Sequence, residues 1–165
     1  MVDAIRAATG LETALKWPND VLLRGRKLCG ILCELVTESD TVLGLIIGIG
    51  INVNTPLSRF PSDVRGRSTS LLEELGHETS LERLAGLVFR AVHLRLQHVD
   101  TSMLAARVIA EWKERNCTLG RKVRVEEETE VFIGVAVDVN QDGSLIVKAS
   151  DGRLMVVDSG DLALL

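Results

Sequence analysis

The chain contains no tyrosine, and aromatic residues make up only 3% of its 165 positions. With a hydrophobic fraction of 46%, its core must be built largely from aliphatic side chains. Positive charge is outnumbered, with 19 Lys and Arg against 23 Asp and Glu. The net charge of −4 argues against a protein that holds nucleic acid or a membrane surface by electrostatics. The longest apolar run, Val42 to Ile51, is too short to span a bilayer and is broken by glycines. Residues 1 to 15 lack the basic start and apolar centre of a secretory signal. Cysteine occurs three times, at Cys29, Cys33 and Cys117, and the C-x-x-x-C pair has no histidine cluster beside it. That excludes a zinc pattern and a disulfide framework, and all three thiols are expected to be buried and reduced. A cytoplasmic location is expected.

What is present centres on residues 16 to 54. From Val42 to Asn54 the odd positions Leu43, Leu45, Ile47, Ile49, Ile51 and Val53 are large and apolar. The even positions Gly44, Gly48, Gly50, Asn52 and Asn54 are bare or polar, with Ile46 the exception. Strand side chains alternate between faces, so one face should pack a core while the other is stripped to backbone. Glycine weakens a strand unless something approaches the backbone closely. A flat ligand met by Asn52 or Asn54 would account for the pattern, and so would another protein element crossing there.

The flanking sequence predicts a helix over Val2–Ala8 stopped by Gly10, a strand over 13–17 and a turn at Pro18-Asn19-Asp20. Extended structure at Val21–Leu23, a hairpin turn at Arg24-Gly25-Arg26 and a strand over Lys27–Val36 follow. A polar turn over 37–41 then leads into the glycine-bearing strand, and short turns between consecutive strands imply an antiparallel meander. Residues 55–70 read as a loop, and 70–75 as a short helix closed by Gly76. Thr79-Ser80-Leu81-Glu82 forms a capping box for a helix to about His98, with Leu81, Leu84, Val88, Val92 and Leu96 at helical spacing. A second helix over 102–115 offers Met103, Val108 and Trp112 to a core. Five short β runs follow, over 122–125, 130–139, 144–149, 153–158 and 162–165, two of them preceded by Asp-Gly turns. They predict a small closed barrel. The expected domains are 1–115 and 116–165, in an α+β fold.

Some chemical signatures are missing. Gly48-Ile49-Gly50 opens like a dinucleotide fingerprint, but the third glycine is absent and Pro56 stands where a helix is required. There is no Walker loop. His77, His93 and His98 fit surface or packing roles better than a Ser/His/Asp arrangement. The remaining candidates are Lys16, Asn19, Asp20 and Lys27, which flank a strand pair beside the bare face. Two lysines at a flat apolar slot suit a carboxylate or phosphate, and Asp20 could place a magnesium ion. A hairpin carrying solvated charges is the alternative.

Three ordered motifs carry a resemblance. Lys16-Trp17-Pro18-Asn19-Asp20, then Arg26-Lys27-Leu28-Cys29-Gly30-Ile31-Leu32-Cys33-Glu34, then Gly48-Ile49-Gly50-Ile51-Asn52-Val53-Asn54 resemble the signature of biotin protein ligases. Thr69-Ser70-Leu71 and the closing barrel resemble the family as well. The resemblance implies the second part of a class II synthetase-like catalytic domain, with an antiparallel or mixed sheet and helices, followed by a Src-homology-3-like barrel. It implies the joining of biotin to ATP as biotinyl-5′-AMP, and transfer of biotin to a lysine on the biotin carboxyl carrier domain of acetyl-CoA carboxylase. By the same resemblance Lys27 contacts the biotin carboxylate and the adenylate linkage, and Lys16 assists. Asn19 and Asp20 lie near the phosphates and Mg2+, Gly30, Gly48 and Gly50 admit the ligand against backbone, Trp17 joins the binding residues, and Asn52 contacts adenine.

One departure stands out. The family's G-R-G-R-x-G loop precedes its K-W-P-N-D motif, and no counterpart precedes Lys16 here. Arg24-Gly25-Arg26 and Arg65-Gly66-Arg67 follow Lys16 and do not replace it. No DNA-binding domain of the repressor-type members is expected in the chain, and none of its segments is expected to enter a membrane. The chain is expected to be inactive alone and to self-associate as a homo-oligomer over strand edges left uncovered. Two alternatives remain: a non-catalytic module binding adenylate or carrier, and a relative of the lipoate ligases.

Overall fold

The computed structural model describes residues 1–39, 41–97, 101–127 and 130–165, with no side chains described over 101–104. His98 and the side chain of Met103 therefore lie outside the described residues. The chain divides into two compact units, Met1–Thr13 with Asn19–Val92, and Ala14–Pro18 with His93–Leu165. In this division Ala14–Pro18 goes with the C-terminal part of the chain.

In the first unit, helix α1 (Val2–Thr9) ends at Gly10, whose φ of 76° supplies the left-handed stop. Strands β2 (Asp20–Leu23), β3 (Arg26–Glu38) and β4 (Thr41–Ile51) form the expected antiparallel meander. Arg24 and Gly25 both take positive φ, 50° and 77°, the two-residue turn whose twist matches a hairpin. Between β4 and the next helix lie a 3-10 turn at Leu57–Arg59 and the short helix α2 (Ser62–Arg65), where only loop was expected. Helix α3 (Leu71–Leu75) is capped by Ser70, whose hydroxyl accepts from the Glu73 N–H, and Gly76 closes it at φ 73°. Helix α4 (Leu81–Leu96) buries Leu84 and Val88. Its cap is Ser80, which accepts from the Arg83 N–H at 3.2 Å, one residue later than the capping box implied.

The distal part of the β3–β4 ribbon departs from expectation. Register pairs Cys33 with Ile47 and Leu35 with Leu45, placing them with Leu43 on one face. That face was expected to pack a core, yet Leu35 is 65% exposed, Leu43 60% and Leu45 51%. Alternation establishes that these side chains share a face. It does not establish what covers them.

In the second unit, β1 (Ala14–Lys16) bridges in parallel to Asn116, just past helix α5 (Thr101–Arg115). Strands β5 (Lys122–Glu126), β6 (Val131–Val139), β7 (Leu145–Ala149), β8 (Leu154–Val157) and β9 (Asp161–Leu164) stand in the order β8-β7-β6-β5-β9, all neighbours antiparallel. All five expected strands are there, with ends shifted by at most a residue or so. Val123, Val125, Ala136, Val147, Val157 and Trp17 share one core. At Asp142-Gly143 the Asp142 carboxylate accepts from the Ser144 N–H and hydroxyl, which holds it below the usual carboxylate range. Gly134 allows β6 to cross β7 closely: a Cβ there would sit 2.5 Å from Val147 Cγ1 and 2.6 Å from the Lys148 carbonyl oxygen. Gly134→Ala is accordingly expected to cost about 1–3 kcal/mol of barrel stability, measured by denaturant unfolding. An unchanged midpoint would show that the strands separate freely there. Among the described residues, no helix is long and apolar enough to cross a membrane.

Candidate functional site

Three strands of the first unit place their bare positions in one row. Asp20 on β2 lies opposite Gly30 on β3, and Gly30 lies opposite Gly50 on β4. Lys27 folds its side chain over this row. Its ammonium pairs with Asp20 Oδ1 at 2.5 Å, and a Cβ on Gly30 would come within 3.3 Å of Lys27 Cε and 3.4 Å of Nζ. Gly30 is therefore the gap through which the lysine head reaches the aspartate. Asp20 is nearly buried while the Lys27 side chain is about half exposed, 9% against 48%. The pair thus presents a cation to solvent on a fixed acidic base.

Gly48 and Gly50 were open to two explanations, a ligand or a crossing protein element. A Cβ at Gly48 would meet only Leu32 of the neighbouring strand, at 3.6 Å, and one at Gly50 only the Gly30 carbonyl oxygen, at 3.9 Å. Within 4 Å of either position no other described residue is met, so contacts among the described residues do not explain the glycines.

The backbone of Lys27 is fastened as firmly as its head. Its N–H donates to the Arg67 carbonyl at 2.8 Å, and its carbonyl accepts from the Thr69 N–H at 2.9 Å. Asn52 Nδ2 donates to the Thr69 carbonyl at 3.0 Å and reaches the Lys27 carbonyl at 3.5 Å. The amide expected at a ligand is, on its nitrogen side, a brace between two segments. Asn54 is committed too: its Nδ2 donates to the Thr79 carbonyl and its Oδ1 accepts from the Thr79 N–H, both at 2.9 Å. Its amide is therefore held in place by Thr79 at both ends. Asn19 lies exposed in the turn before β2, where its carbonyl accepts from the Ile31 N–H at 2.9 Å.

The other expected residues of K-W-P-N-D fall elsewhere. Lys16 and Trp17 belong to the second unit. Lys16 is half-buried on β1, and its charge partly offsets the burial that raises the Cys117 thiol. Trp17 is 4% exposed in the barrel core. Its N–H donates to Thr118 Oγ1 and its indole Nε1 to the Gly143 carbonyl, both at 2.9 Å. Expected among the binding residues, Trp17 is instead a core side chain whose polar edge is already satisfied.

The thiols differ in their surroundings. Cys29 is buried, Cys117 is intermediate and Cys33 is exposed on the uncovered ribbon, so the expected burial holds at Cys29, is partial at Cys117 and is corrected at Cys33. Burial pushes the Cys29 thiol up to about 11; the chain's amino terminus opposes that, Asp20 adds to it and Lys27 opposes it. Iodoacetamide at pH 8 is expected to label Cys33 and spare Cys29, read by peptide mass spectrometry. Because the folded thiol ionises later than the unfolded one, near 9.0, stability holds below pH 9 and falls as pH rises towards about 11. Cys29→Ala is expected to flatten that part of a melting-temperature profile, and equal slopes in the two proteins would contradict the shift.

No group of three or more His, Cys, Asp or Glu among the described residues is arranged to hold a metal ion. Glu74 and Thr69, both at the back of the Lys27 segment, went unnoticed as chemistry. Thr69 lay inside a recognised motif, but nothing in the sequence separates Glu74 from Glu73 beside it.

Together these features define a class: a two-unit α+β protein whose first unit carries a glycine-floored ledge with a half-exposed lysine over it. Residues 1–52 match the biotin/lipoate A/B protein ligase family, and residues 118–165 match the biotin protein ligase C-terminal domain. The bifunctional ligase/repressor BirA of Bacillus subtilis is 30% identical over 99% of this chain and 50% of its own length. The biotin–[acetyl-CoA-carboxylase] ligase of Mycobacterium tuberculosis is 34% identical over 92% of this chain and 53% of its own. A crystal structure of biotin protein ligase from Aquifex aeolicus superposes with a TM-score of 0.81 at 27% identity, over 99% of this chain and 69% of that one. The same enzyme in complex with biotin and ATP gives 0.79 at 25% identity, over 99% of this chain and 66% of that one. The chain belongs to the biotin protein ligase family, and its closing barrel is the Src-homology-3-like domain of that family. It spans about half the length of these curated relatives.

Proposed function

We propose that the first unit forms the floor of a biotin- and ATP-using ligase site, which makes biotinyl-5′-AMP and passes biotin to a carrier lysine. The observation that carries this reading is the Lys27 ammonium, held by Asp20 over Gly30 in a row that Gly50 continues. In the first step a biotin carboxylate oxygen attacks the α-phosphorus of ATP and pyrophosphate leaves. In the second a carrier lysine amine attacks the acyl carbon and AMP leaves. Negative charge gathers on the phosphoryl and acyl oxygens in both, and a pre-placed ammonium stabilises it without reorganisation. Lys27 takes that role. Gly30, Gly48 and Gly50 let the ligand lie against backbone, which fixes its orientation.

Lys16 assists in this reading, Asn19 lies towards the phosphates, and Asn52 meets adenine through its oxygen while its nitrogen braces Thr69. Magnesium fits as a guest of the nucleotide. Asp20 would supply one carboxylate to such an ion, which would neutralise charge on the nucleotide phosphates. The acceptor is the biotin carboxyl carrier domain of acetyl-CoA carboxylase, the enzyme named in the Mycobacterium relative, and the location is cytoplasmic. The uncovered ribbon supports self-association.

The test is calorimetry with a non-hydrolysable biotinyl-adenylate analogue, alongside an ATP-dependent biotinylation assay on a carrier domain. The 165-residue chain is expected to bind the analogue but to leave the carrier unmodified. Absence of binding overturns the ligand reading. Robust turnover overturns the assignment of this chain as a floor only.

A further inference from the structure

Glu74, on α3, has a side chain only 1% exposed, yet it is a carboxylate. Burying such a group is costly unless it is well partnered, and three donors surround this one. Arg26 Nη2 lies 2.6 Å from Oε1, Arg24 Nη1 lies 3.0 Å from Oε2, and Thr69 Oγ1 donates to Oε1 at 2.7 Å. The helix does not need this arrangement for its own sake. Its cap is Ser70 and its buried apolar residue is Leu71.

The three partners share a location. Arg24 is the first residue of the turn that delivers β3, and Arg26, the first residue of that strand, immediately precedes Lys27. Thr69 is the residue whose N–H holds the Lys27 carbonyl, in the bridge that pairs Lys27 with Ser68. One carboxylate therefore ties the residue before Lys27 to the segment bonded alongside it. Charge-assisted bonds in a water-poor setting are stronger and shorter than neutral ones. An apolar side chain at position 74 could fill the volume without joining these two segments.

We propose that Glu74 is the positioning residue for Lys27: it locks the Arg26–Lys27 backbone to the 67–69 segment, and so fixes where the ammonium sits over Gly30. The consequence for the ligand rests on the ligase reading above; the clamp itself does not. Glu74→Gln keeps the shape and removes the charge. It is expected to speed amide exchange at Lys27 and Thr69 by about tenfold or more in the free chain, while Val21 and Leu84 exchange as before. Affinity for the biotinyl-adenylate analogue is expected to fall about tenfold, with the melting temperature nearly unchanged.

Thr69→Val, which removes one donor, is expected to show the same local loosening, and Thr69→Ser, which restores the hydroxyl, to reverse it. These two variants keep the test decisive should Glu74→Gln fold poorly. Exchange rising uniformly across the first unit would mean a merely structural role and overturn the proposal, as would unchanged exchange at Lys27 and Thr69 in both Glu74→Gln and Thr69→Val. Amide exchange is read without ligand, so its failure tells against Glu74 alone. Failure of analogue binding in the unsubstituted chain tells against the ligase reading.

Discussion

Lys27→Ala is expected to lower affinity for a biotinyl-adenylate analogue by about 100-fold or more. Removing one member of a close, partly buried charge pair typically costs about 2–5 kcal/mol, and here two losses combine. The anionic linkage loses its cation, and Asp20, with only 9% of its side chain exposed, loses its ion-pair partner. The second loss also acts on the free protein, so a fall in melting temperature should accompany the fall in affinity. The double variant Lys27→Ala/Asp20→Asn separates the two effects. It is expected to recover part of the stability, because the nearly buried carboxylate is removed together with its cation, and none of the affinity. Calorimetric binding within threefold of the unsubstituted chain in Lys27→Ala would remove this lysine from the site. Recovery of affinity in the double variant would show that Lys27 served only to neutralise Asp20.

Trp17→Ala should have the largest effect on the second unit, about 3–5 kcal/mol from the lost volume and contacts of a buried indole. The ring also bonds Gly143 through Nε1 at 2.9 Å, so the variant leaves that turn carbonyl without a protein donor. A barrel of five short strands has a limited reserve of stability, and a loss of this size is expected to leave it largely unfolded at 37 °C. Trp17→Phe keeps most of the apolar volume and is expected to cost less. Denaturant unfolding followed by circular dichroism measures both. A fully stable Trp17→Ala barrel combined with lost analogue affinity would return Trp17 to the ligand and contradict its place in the core.

The difference between these two residues shows what could be read from the sequence. The meander was legible because two-residue turns and period-two alternation are local, and the barrel strands were legible for the same reason. Lys27, Asp20 and the three glycines were legible as a group because motif spacing and strand register brought them together. What covers a face is decided by distant chain, so the apolar stripe of Leu35, Leu43 and Leu45 read as core although it is exposed. Side-chain amides have two ends and no sequence mark for which end is used. Asn52 and Asn54 therefore looked alike, although Asn54 spends both groups on Thr79. The cap at Ser80 rather than Thr79 is a difference of one residue between two equally good hydroxyls. Glu74 was invisible because its partners lie 48 and 50 positions earlier, as well as five before it.

The five-residue word Lys16-Trp17-Pro18-Asn19-Asp20 is divided between two folding units, with its tryptophan inside the barrel and its aspartate beneath Lys27. The transplantable cassette is therefore discontinuous. A chimaera that exchanges only residues 118–165 for those of a relative would set a foreign Thr118 and Gly143 equivalent against the resident Trp17. Grafting residues 14–18 along with them carries the wedge with its socket. Within this motif the division between the two units lies between Pro18 and Asn19, in the middle of what reads as a single signature.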